Sequence, residues 1–141
     1  LSTLPVAGLI APRAQAAEPE IFSVDGLAIR GTDPVAYFDM AAPQAGSAGH
    51  ALMWRGSTWR FASADAMARF EMNPEAYIPE FGGYCAYAAS LGYLAPTVPE
   101  AWTIYEDRLY LNASLRAREL WLQDVPGNIA KGRDNWPGIL G

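Results

Sequence analysis

The spacing of apolar and polar positions along this chain changes several times, and each change marks an element. Residues 21–38 mix apolar and polar side chains around Asp25-Gly26 and Asp33-Pro34. This pattern predicts two short strands, at 27–30 and 35–38, separated by a turn. Small residues and Pro43 between positions 41 and 49 predict a surface loop. Between 51 and 61 the alternation returns. Leu52 and Trp54 on one arm and Trp59 and Phe61 on the other fit a hairpin turning at Arg55-Gly56-Ser57. Ser63 then stands as a helix cap, with Asp65 in the first turn and Met67, Phe70 and Met72 on the buried side of a helix to about residue 73. Asn73-Pro74-Glu75 starts a further short turn, where proline's missing N–H costs nothing.

The second half repeats the alternation of hairpin and helix. A helix is predicted from 84 to 91 and closed by Gly92 in the left-handed conformation. Strands at 102–105 and 109–111 form a second hairpin around Glu106-Asp107-Arg108. Ser114 caps a helix to about residue 123, with Ala117, Leu120 and Trp121 on one face. A last helical turn follows Asp124-Val125-Pro126. Hairpins interspersed with helices define an α+β fold, a small antiparallel sheet with several short helices packed on it. Residues 17–141 read as one domain, without repeats, charge blocks or a linker.

The N-terminus follows a different pattern. Residues 1–10 are apolar except for Ser2 and Thr3, too short a run for a bilayer span of about 20 residues. The small-x-small sequence Ala14-Gln15-Ala16 comes next, then Glu18, Pro19 and Glu20. Residues 1–16 read as a signal-peptide remnant cleaved after Ala16, and Arg13 is compatible with twin-arginine export. The alternative is a plain tail on a cytosolic protein. Export predicts a periplasmic or secreted protein that is soluble once processed.

Charge and cysteine content narrow the function further. The chain carries 10 basic and 15 acidic side chains, a net charge of −5, with no basic patch. This surface disfavours nucleic acid and anionic lipid as partners. An oxidising compartment favours disulfides, yet Cys85 is the only cysteine. It is therefore a buried inert thiol, a reactive or metal-ligating thiol, or half of an intermolecular bridge.

Cys85 sits in Phe81-Gly82-Gly83-Tyr84-Cys85-Ala86-Tyr87, which makes Gly82, Gly83, Tyr84 and Tyr87 candidate pocket residues. The glycines have a conformational explanation too, as a positive-φ turn before a helix. A structural zinc site needs four nitrogen or sulfur ligands, and one cysteine with the single histidine, His50, cannot supply them. Copper asks for less: thiolate with imidazole or a methionine (Met40, Met53, Met67 or Met72) suits Cu(I). The competing reading makes Cys85 a small core residue and the methionines core filler. A nucleophilic cysteine would also require His50 as partner. The carboxylates show no catalytic pattern, since Asp33, Asp65, Asp107 and Asp124 all fit turns or caps. The many tyrosines and tryptophans suit core packing or a ligand pocket.

Five segments, in order, carry a resemblance. They are Gly31-Thr32-Asp33-Pro34-Val35-Ala36-Tyr37-Phe38, Gly56-Ser57-Thr58-Trp59-Arg60-Phe61-Ala62-Ser63, Asn73-Pro74-Glu75-Ala76-Tyr77, Phe81-Gly82-Gly83-Tyr84-Cys85-Ala86 and Leu109-Tyr110-Leu111-Asn112. Together they resemble the exported YHS-domain proteins of bacteria, over nearly all of residues 21–141. Related metal-binding YHS and TRASH-type modules carry thiols at positions that here are Ala36, Ala62 and Ala66. That metal site is therefore not implied for this chain. The expectation is a non-enzymatic binding protein for copper or a small ligand near Cys85. The alternatives are an interaction module with an inert cysteine and, third, an enzyme using a Cys85–His50 pair.

Overall fold

The computed structural model describes residues 17–141, so the expected signal-peptide remnant at 1–16 lies outside the described residues. The fold is α+β, with its strands divided between two sheets. The first has the spatial order β1 (Ser23–Val24), β2 (Leu27–Ala28), β4 (Ser57–Phe61), β3 (Ser47–Trp54). The second is the hairpin of β5 (Trp102–Tyr105) and β6 (Arg108–Leu111). The two predicted hairpins form, but they do not join one sheet. β2 also pairs with β4 in parallel, through Leu27 and Thr58, inside an otherwise antiparallel arrangement.

Both hairpin turns put two residues in the left-handed region: Arg55 and Gly56 in the first, Glu106 and Asp107 in the second. That geometry matches the twist of the flanking strands. On β4 the alternation is complete, with Ser57, Trp59 and Phe61 buried and Thr58 and Arg60 half-buried. α2 (Ala64–Met72) begins at Ser63, whose hydroxyl accepts from the Ala66 N–H at 3.1 Å. Phe70 of α2 lies between Trp59, Phe61 and Trp54, with ring centroids 5.0–5.7 Å away. Met72 is 86% exposed and does not belong to the buried face. It is the last residue of α2.

The 35–38 strand is absent. These residues enter α1 (Ala36–Met40), because the Asp33 carboxylate accepts the N–H groups of Val35 and Ala36 at 2.8 and 3.3 Å and so caps a helix. Its other oxygen accepts from Ala62 N–H at 2.9 Å, at the end of β4. Asp33 thereby joins two distant segments of the chain. Residues 29–31 likewise leave the predicted strand for a tight turn. Tyr37 is buried with its hydroxyl donating to the Pro99 carbonyl at 2.9 Å. Burial, and then the Glu100 carboxylate, push its pKa well above the ordinary tyrosine value.

β6 is buried on both sides and links two cores. Leu109 and Leu111 face the core containing Trp59, Phe61 and Phe70, while Tyr110 faces one built from Phe81, Trp121 and Ile129. α3 (Ala86–Leu91), α4 (Leu115–Trp121) and α5 (Val125–Asn135) surround this second core. α5 is much longer than the single turn expected after Pro126. Two glycines lower its intrinsic helix preference, and packing overrides that. A Cβ at Gly132 would stand 2.6 Å from the Phe81 ring, so glycine is what lets α5 approach.

Candidate functional site

Cys85 is 2% exposed and occupies the N-cap of α3. Its sulfur accepts the Ala88 N–H at 3.4 Å and the Ala113 N–H at 3.3 Å. Its thiol donates to Asn112 Oδ1 at 3.3 Å. Asn112 is fully buried, and the same oxygen accepts from Tyr87 N–H at 2.9 Å. Its backbone is tied at both ends, N–H to the Ala101 carbonyl and carbonyl to the Val98 N–H. The thiol thus does the work usually done by a serine or aspartate cap, fastening α3 to the end of β6. Nothing in the sequence marks Asn112 for this role. An asparagine just past a strand gives no sign of a partner 27 positions earlier.

The glycines before it serve geometry. Gly82 and Gly83 have φ of +64° and +87°. A Cβ on Gly82 would overlap the Glu20 carbonyl oxygen, while the Gly82 carbonyl accepts from Phe22 N–H at 2.8 Å. Gly83 is buried against Ile29 and Pro79. Neither glycine cradles open space beside Cys85. Tyr87 packs against the second core. Of the four expected pocket residues Tyr84 lines a cleft of its own, and Gly82 lines a smaller groove edged by the Arg55 ion pairs to Glu20 and Glu75.

His50 stands apart from this arrangement. It lies on β3, the edge strand, with Nδ1 at 3.2 Å from Ser47 Oγ in an exposed contact. Cys85 caps α3, which packs on α4 and α5 rather than on that strand. None of the groups bonded to the thiol is His50 or a methionine. The expected Cys85–His50 metal pair or catalytic dyad is therefore not assembled. A metal or substrate would first have to displace the cap. Three of the four methionines, Met40, Met53 and Met72, are exposed rather than core filler. Among the described residues no group of three or more His, Cys, Asp or Glu side chains is placed to hold a metal ion. Ala36 and Ala62 both donate to Asp33, so these thiol-equivalent positions are close together and carry only methyl groups.

A cleft of about 570 Å³ opens next to Tyr84. Phe22, Tyr84, Tyr93, Leu94 and Pro96 supply apolar walls, and Glu18 a single charge. The Tyr84 hydroxyl donates to the Pro19 carbonyl at 2.8 Å, and the Tyr84 ring packs on Phe22 at 5.7 Å. Burial, followed by the Glu18 carboxylate, raises its pKa. These contacts fix one wall, whereas Tyr93, on the same cleft, is 53% exposed. Among the described residues, no helix is long and apolar enough to cross a membrane. Compared with known proteins, the chain matches no family model, no curated protein and no solved structure.

Proposed function

We propose that this chain is an exported, non-enzymatic binding module of the YHS type, which takes a small aromatic or apolar ligand in the cleft beside Tyr84. The observation that carries this reading is the engagement of Cys85 by three protein groups inside the core. A thiol so engaged serves the fold, and the copper expectation draws no support from it. The cleft, by contrast, has the size typical of small-molecule sites, with aromatic and aliphatic side chains beside a comparable share of polar surface. The periplasmic or secreted location belongs to the same proposal and rests on the residue pattern at 1–16.

The test is amide chemical-shift mapping with p-cresol as probe. Amides at 22–23 and 92–95 are expected to shift. Tyr93→Ala should weaken binding about fivefold, as expected for loss of one stacked ring. Because Tyr93 is exposed, the variant should keep the fold. Shifts elsewhere only, or binding unchanged in Tyr93→Ala, would contradict the assignment.

A further inference from the structure

We propose that a second cleft, between the β5–β6 turn and α5, binds a small zwitterion, namely an α-amino acid with an apolar side chain. This cleft shares no residue with the one beside Tyr84 and stands independently of the function proposed above. It measures about 320 Å³, ample for one amino acid, and is walled by Tyr105, Glu106, Arg108, Tyr110, Ile129 and Arg133 among others.

Its charges are arranged unusually. Glu106 and Arg133 line the same cleft with opposite charge, yet among the described residues neither makes an ion pair. Arg108 is engaged, at 3.7 Å from Glu80 and 3.3 Å from the Glu75 carbonyl oxygen. The cleft is therefore close to neutral while holding one unpaired charge of each sign. A simple anion would meet Glu106 and the overall negative charge, and a simple cation would meet Arg133 and Arg108. A ligand carrying an ammonium and a carboxylate on one carbon satisfies both sides.

Tyr110 adds a fixed polar group. Its side chain is 1% exposed and wedged against Trp121 and Phe81, with centroids at 5.0 and 6.2 Å. The hydroxyl cannot swing away and keeps its proton: burial, and then Glu80, raise its pKa against the opposing pull of Arg133 and Arg108. In the bound state the ligand carboxylate pairs with the Arg133 guanidinium and accepts from the Tyr110 hydroxyl, a charge-assisted arrangement. The ligand ammonium donates to Glu106. The apolar wall of Pro126, Ile129 and Ala130 takes the side chain.

The experiment titrates the whole chain with L-leucine, L-leucinamide and 4-methylpentanoate, read by amide chemical shifts. Leucinamide lacks the carboxylate and 4-methylpentanoate lacks the ammonium. Leucine is expected to shift amides at 105–110 and 129–133 and to bind at least about tenfold more tightly than either analogue. Glu106→Gln and Arg133→Gln, both at exposed positions, should each weaken leucine by about tenfold with the fold intact. An analogue that binds as tightly as leucine would overturn the proposal. So would leucine binding indifferent to both substitutions, or no shift at these positions.

Discussion

Replacing Gly82 by alanine is expected to cost about 4 kcal/mol or more, a large part of the stability of a small domain. A Cβ there overlaps the Glu20 carbonyl oxygen and lies 3.0 Å from its carbon and 3.3 Å from the Trp136 ring. Two of these are backbone atoms and cannot rotate away. Glu20 is also held in place, since Phe22 N–H bonds to the Gly82 carbonyl just beyond it. Gly26 is the control. It too has positive φ, +78°, but its Cβ direction is open. Gly26→Ala should therefore cost only the left-handed penalty of about 1–2 kcal/mol. Urea unfolding followed by circular dichroism compares the two. Equal midpoints would show that the close approach at Gly82 is not the constraint described.

Removing the Asp33 carboxylate has the second largest expected effect. The side chain is 1% exposed and accepts three backbone N–H groups from two segments. Asp33→Ala leaves all three without their partner, at about 1–3 kcal/mol for each one that water does not reach. A loss of about 3 kcal/mol or more in thermal or urea unfolding is expected. Asp33→Asn keeps an acceptor for Val35 and Ala36 but turns an amide NH₂ toward Ala62, so it should fall between wild type and alanine. A loss below about 1 kcal/mol for Asp33→Ala would mean that the carboxylate does not organise this junction.

These two positions also show what was legible in the sequence. Local chemistry read well: the Ser63 and Ser114 caps, the left-handed Gly92 and both hairpins all stand where the side chains imply. Asp33 was legible as a turn residue but not as a cap reaching to Ala62. The short apolar run it precedes, Val35 to Phe38, fits strand and helix equally, and the carboxylate decides for helix. α5 was underread because its composition argues against a helix, while the reason it forms, Gly132 against Phe81, lies 51 positions away in sequence. The surroundings of Cys85 were hidden for the same reason. Cys85 and His50 were paired because each is the only residue of its type. Chemical rarity carries no information about distance, and the actual partner of Cys85, Asn112, is a common residue with no chemical signature.

The account turns on Cys85 being part of the fold rather than a reacting group, and thiol labelling tests that most directly. A small disulfide reagent is mixed with the native protein, and release of its chromophore is followed with and without denaturant. Labelling is predicted to be negligible in the native fold and to reach one thiol per chain only on unfolding. Rapid stoichiometric labelling of the native protein would contradict the account and return Cys85 to the position of a reactive or metal-binding thiol.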